Sequence, residues 1–184
     1  MSQSRKRHRG QPGNDRKFYL SQLVQEYHTT KDIEAKQQVL ANLGNFAYDS
    51  INHNWLWQAN AIDVFFDALE QQDSLLQEFG AGGIANICLD PQHYQYILSN
   101  TKHIESINAI VEDGTRHDTS TTTDAVVNAM TTLMLLINDT SHQVILTDAL
   151  KTSLLRLKQN RQVDTRIITV ATLFLTDYFP DKTT

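Results

Sequence analysis

The side chains of this 184-residue chain that are able to do chemistry are spaced for binding rather than for making or breaking bonds. Seven histidines (His8, His28, His53, His93, His103, His117 and His142) are scattered, with no two at i, i+4 and no metal-ligand spacing. The single cysteine, Cys88, lies among apolar residues and reads as a small buried hydrophobe. Asp49, Asp90 and Asp139 recur at matching places along the chain, which suits helix-terminus or N-cap residues better than a pair of catalytic acids. Gly80-Ala81-Gly82-Gly83 has the look of a phosphate loop, but no strand precedes it and no Gly-Lys-Ser/Thr follows. It falls inside a helical pattern, where close approach of a neighbouring helix accounts for it better. With no nucleophile–base pair visible, the reading is no enzyme, no cofactor, no metal and no small-molecule substrate. What recurs instead is asparagine: Asn45 and Asn86 stand 41 residues apart in matching contexts, each offering an amide donor and an acceptor together.

Those asparagines belong to a stretch that occurs twice. Gln38-Val39-Leu40-Ala41-Asn42-Leu43-Gly44-Asn45-Phe46-Ala47-Tyr48-Asp49 returns as Phe79-Gly80-Ala81-Gly82-Gly83-Ile84-Ala85-Asn86-Ile87-Cys88-Leu89-Asp90. A degraded third copy runs from Asn128-Ala129-Met130 through Leu133, Leu136 and Ile137 to Asp139. The apolar positions are 39, 40, 43, 46 and 47, then 80, 81, 84, 87 and 88, then 129, 130, 133, 136 and 137. That i, i+3/i+4, i+7 spacing lays one stripe along a helix. Each copy is followed by a short and then a medium helical segment, and repeats of this length mark stacked units that bury their faces on one another. The pattern predicts helices near 17–28, 33–48, 53–59, 61–71, 74–89, 92–99, 103–112, 121–138, 141–147, 149–159 and 163–178, with no strands. The polar stretch Asp113–Thr123 is the one insertion between repeats and reads as mobile.

Three helices in about 41 residues match the armadillo repeat. The phrase Gln38 to Asp49 resembles the first repeat of the armadillo repeat-containing protein 7 family. Tyr19-Leu20-Ser21-Gln22-Leu23-Val24, Gly82-Gly83-Ile84-Ala85-Asn86-Ile87-Cys88 and Thr131-Thr132-Leu133-Met134 extend the resemblance over roughly residues 18–178. The resemblance implies an all-α armadillo solenoid of about three repeats plus capping helices. It also implies a non-catalytic subunit of the minor spliceosome acting in pre-mRNA splicing. The implied partner is RNA-binding motif protein 48 or a similar RNA-recognition-motif protein that itself holds the snRNA. In armadillo proteins generally the Asn45/Asn86 position faces the concave groove, where it can pair with a partner's main chain. Copy three breaks that ladder with Leu135, and Ala41 and Gly82 stand where groove-type peptide binders often carry Trp, which speaks against a nuclear-import-receptor role.

Charge divides the chain. Residues 1–17 carry Arg5, Lys6, Arg7, Arg9, Arg16 and Lys17 against Asp15, while the remainder holds 10 basic and 20 acidic side chains. This predicts a disordered basic arm over 1–17 and an armadillo-repeat domain over 18–184. The cluster Arg5, Lys6, Arg7 and Arg9 suits a nuclear localisation signal or a phosphate contact, or else a solvated tail. A net-acidic body disfavours direct RNA binding, which draws its affinity from Lys and Arg; the only loose cationic grouping is Lys151, Arg156, Lys158, Arg161 and Arg166. No apolar run approaches the roughly 20 residues that span a bilayer, and the polar N-terminus reads as no secretory leader.

The expected partner-binding residues, on the concave face and in an aromatic cluster, are Gln38, Asn42, Asn45, Tyr48, Trp55, Trp57, Phe79, Asn86 and Asn128. Phe65 and Phe66 join the aromatic cluster, for which core packing is the competing account. The expectation is a nuclear adaptor; the alternative is a generic peptide-binding adaptor of the cytosol.

Overall fold

The structure is a computed structural model that describes residues 12–116 and 120–180. Among the described residues the elements are helices joined by short turns: α1 (Pro12–Thr29), α2 (Ile33–Tyr48), α3 (His53–Gln58), α4 (Ala61–Leu69), α5 (Ser74–Ile87), α6 (Pro91–Ser99), α7 (Thr101–Asp113), α8 (Thr123–Leu136), α9 (His142–Ile145), α10 (Asp148–Gln159) and α11 (Thr165–Tyr178). A single 3-10 turn, Ser50–Asn52, leads into α3. Helix α1 begins at Pro12, so residues 12–17 are helical although the sequence assigned them to a disordered arm. Arg5, Lys6, Arg7 and Arg9 lie outside the described residues.

Each boundary has a local cause. Asp32, Asp73, Asp90, Asn100, Thr122, Thr147 and Asp164 sit before their helices and accept hydrogen bonds from first-turn N–H groups, satisfying donors that the helix itself leaves orphaned. Pro91 takes the first position of α6, where its missing N–H is no loss. Of the three recurring aspartates, Asp49 caps the 3-10 turn and Asp90 caps α6. Asp139 does not cap: its neighbour Asn138 does the work, its Oδ1 accepting from the N–H groups of Thr140 and Ser141.

The helices stack in two rows. The long helices form one, α2 against α5, α5 against α8 and α8 against α11; α4, α7 and α10 form the other, each packed on the long helix that follows it in sequence. The apolar stripes face between the rows. Leu43, Ile84 and Leu133, which share a repeat position, are all fully or almost fully buried. The rows meet closely at the glycine run: a Cβ at Gly83 would stand 2.3 Å from the Phe65 ring, and one at Gly80 would stand 2.8 Å from the Phe65 carbonyl oxygen. The glycine run is thus a contact surface for α4. Cys88 is buried, and burial pushes its thiol up to about 11.

The seam between the first and second repeats is filled with rings. Phe66 stacks on His103 at 4.3 Å, and Trp57 meets His93 and Tyr96 edge-on. The Tyr96 hydroxyl donates to Asp63 Oδ1 at 2.5 Å. Phe65 and Phe66 are core, while Trp55 and Trp57 are half-buried, so packing accounts for most of the aromatic cluster. His93 is fully buried; its Nδ1 pairs with Asp90 Oδ1 at 2.8 Å, and its Nε2 has no partner.

Candidate partner-binding groove

An open groove of about 440 Å³ crosses the long-helix row. Helix α2 contributes Ala41, Gly44, Asn45 and Tyr48, α5 contributes Glu78, Phe79, Gly82, Gly83 and Asn86, and α8 contributes Asp124 and Asn128. Small residues make its floor, because Ala41, Gly44 and Gly82 fall between the stripe and the exposed face of their helices. Amides, aromatic rings and two carboxylates make its walls, and no cation lines it among the described residues.

Of the residues singled out from sequence, Asn45, Tyr48, Phe79, Asn86 and Asn128 line this groove together. Gln38 and Asn42 lie outside its lining and pair with each other, Gln38 Nε2 donating to Asn42 Oδ1 at 3.4 Å. Trp55 and Trp57 are on α3, packed in the core and the ring-filled seam rather than in the groove. Glu78 and Asp124 escaped sequence reasoning. Their signal was helical spacing: Glu78 stands two turns before Asn86 and Asp124 one turn before Asn128, on the same sides of their helices.

The two asparagines of the ladder are not equivalent. Asn86 Nδ2 donates to the Gly44 carbonyl at 3.2 Å, tying α5 to α2 and leaving its Oδ1 toward the groove. The Asn86 donor is thus spent on a neighbouring helix rather than left for a partner's main chain. Among the described residues, Asn45 has no side-chain hydrogen-bond partner, so both ends of its amide face outward. Tyr48 is 83% exposed at the rim, with Leu89 at the same repeat position 61% exposed. An exposed tyrosine beside a free amide, with carboxylates farther along, is an arrangement for gripping a chain segment: ring stacking, main-chain pairing and attraction of a cation.

The loose cationic grouping near the C-terminal end is partly committed. Arg166 pairs with Asp124 at 2.6 Å and with Asp164 at 3.3 Å, and Lys151 sits over the Phe179 ring. The insertion is also less free than its composition suggested. Thr122 caps α8 and the Thr121 hydroxyl donates to Gln77 Oε1 at 3.3 Å, while residues 117–119 lie outside the described residues.

Comparison with known proteins supports the same architecture. No family profile matches the chain. It is 46% identical over 66 residues to "Armadillo repeat-containing protein 7" of Mus musculus, a match covering 36% of this chain and 33% of that protein's length. Among solved structures it is similar to a computationally designed armadillo repeat protein for modular peptide recognition, with a TM-score of 0.67, 16% identity, and coverage of 83% of this chain and 61% of that one. A designed armadillo repeat protein in complex with the peptide (KR)4 aligns with a TM-score of 0.59, 17% identity, and coverage of 83% and 61%. The fold of this chain is the armadillo-repeat solenoid.

Proposed function

We propose that this armadillo-repeat chain is a non-catalytic adaptor that holds a protein partner in the groove across α2, α5 and α8. The observation that carries the reading is the lining: Tyr48 exposed, Asn45 without a side-chain hydrogen bond and Glu78 without an ion pair among the described residues, while Asp124 is held by Arg166. The similarity to mouse armadillo repeat-containing protein 7 supports a narrower version. In that version the chain is nuclear, acts in pre-mRNA splicing within the minor spliceosome, and has RNA-binding motif protein 48 or a similar RNA-recognition-motif protein as its partner. The partner then contacts the snRNA, and this chain reaches it indirectly. The designed relatives, one named for peptide recognition and one in complex with (KR)4, favour the second reading, a general peptide-binding adaptor without a splicing role.

A pull-down of the tagged chain from nuclear extract, with and without RNase, separates the two. An RNA-recognition-motif protein retained through RNase treatment, and lost with Tyr48→Ala, supports the splicing adaptor and the groove together. Recovery of peptide-motif proteins without any splicing component leaves the general adaptor.

A further inference from the structure

The other row of helices has a gap where the preceding repeat has a ring. Alignment of the repeats by burial makes the substitution explicit. His93 and Ser141 are both buried, as are Ile97 and Ile145, so Tyr96 on α6 and Val144 on α9 hold the same place. Ile62 pairs with Ile104, Phe65 with Ile107 and Leu69 with Val111, all buried, so Asp63 corresponds to Glu105 and Phe66 to Asn108. In the first seam these positions make one unit, the Tyr96 hydroxyl donating to Asp63 while Phe66 closes the space behind. In the next seam the tyrosine is a valine and the phenylalanine an asparagine.

The space those rings would take is open. A groove of about 400 Å³ lies between α7, α9 and α10, lined chiefly by Ile104, Glu105, Asn108, Ala109, Val144 and Ala149. Val144 is 44% exposed above it. Asn108 stands on this wall, and its Oδ1 is buried with no hydrogen-bond partner among the described residues, a costly state for a polar atom. Glu105 and Glu112 add two carboxylates on the same wall; Arg116 pairs with Glu112 at 3.9 Å, while Glu105 has no ion pair among the described residues. An apolar slot with an unpaired carboxylate, Glu105, at its edge calls for a flat ring carrying a donor.

We propose that the α7–α9–α10 groove is a docking site for a tyrosine presented by another polypeptide, whose phenol takes up toward Glu105 the position that Tyr96 takes toward Asp63. The site is on the opposite row from the α2–α5–α8 groove, so the two stand or fall separately. The partner's ring covers Ile104 and Ala149, and its hydroxyl donates to Glu105.

The test is an NMR titration of the isotope-labelled chain with N-acetyltyrosinamide, compared with N-acetylphenylalaninamide and N-acetylargininamide. The expected result is saturable shifts at the Val144 methyls and the Asn108 amide, several-fold tighter for the tyrosine probe than for either comparator. Val144→Tyr should abolish them by filling the slot from within. Its new phenol should titrate well above a free tyrosine, as Tyr96 does, pushed up to about 12 by its hydrogen bond to Asp63 and by burial. Glu105→Gln, a change at an exposed position, should erase the preference for tyrosine over phenylalanine. Equal response to phenylalanine, a stronger response to arginine, or shifts that depend only on protein concentration overturn the proposal, the last in favour of a second copy of this chain.

Discussion

Single atoms decide where this chain tolerates change. A methyl at Gly83 would collide with the Phe65 ring, at 2.3 Å from Cε1, whereas one at Gly82 would meet only Asn128 Nδ2 at 3.4 Å. Gly83→Ala should therefore lose about 1–3 kcal/mol to overpacking, while Gly82→Ala should gain up to about 1 kcal/mol from helix propensity; urea midpoints of the two variants measure the contrast. His93 predicts a pH effect. Burial holds its ring below the ordinary histidine value despite Asp90 beside it. The unfolded chain then binds the proton more readily than the folded one, so this contribution to stability is complete above about pH 6.5 and declines as pH falls below it. An NMR titration should find the His93 ring more than half neutral at pH 6.5, and His93→Gln should flatten the fall in urea midpoint between pH 7 and pH 5. Of the nine residues that the sequence put on the concave face or in the aromatic cluster, Asn45, Tyr48, Phe79, Asn86 and Asn128 share one groove, because helical spacing fixes which side chains share a face, whereas Gln38, Asn42, Trp55 and Trp57 lie outside it. Sequence alone missed that Asn86 spends its donor on Gly44, since that bond depends on how two helices 42 residues apart are set against each other.

At the level of helices, the strongest statement is that equivalent positions carry equivalent loads. Leu43→Ala and Leu133→Ala remove fully buried side chains from the first and third long helices of the row, and each should cost about 2–5 kcal/mol. Chemical denaturation of both variants tests this; an unchanged midpoint for either would mean its stripe does not face the core. Asp73 is a cap with two duties, accepting from the Leu76 N–H and from Gln37 Nε2 on α2. Asp73→Ala should accordingly cost about 0.5–2 kcal/mol from the cap and loosen α2 from α5, seen as faster amide exchange in the first turn of α5. Most helix positions were legible because the 3.6-residue period and the capping residues are local signals. The misses were non-local or subtle: α8 stops at Leu136 because Asn138 turns the chain on itself, and α1 runs back to Pro12 through residues too polar to show a stripe.

Across the whole molecule, the groove and the last helix share a carboxylate. Asp124 lines the groove, yet it already holds Arg166 of α11, which Asp164 also grips from the start of that helix. A partner bringing its own cation to Asp124 must compete with this resident arginine. Occupancy of the groove and the seating of α11 then oppose each other, and by thermodynamic reciprocity each weakens the other by the same factor. Arg166→Gln should tighten a basic peptide in the groove by removing the competitor, read by calorimetric titration with (KR)4; an unchanged affinity would mean that the peptide never reaches Asp124. Added salt screens both contestants, so the difference between the variant and the parent should shrink as ionic strength rises. Through Arg166, α11 thus places a resident rival beside the groove for any cation that a partner brings to Asp124.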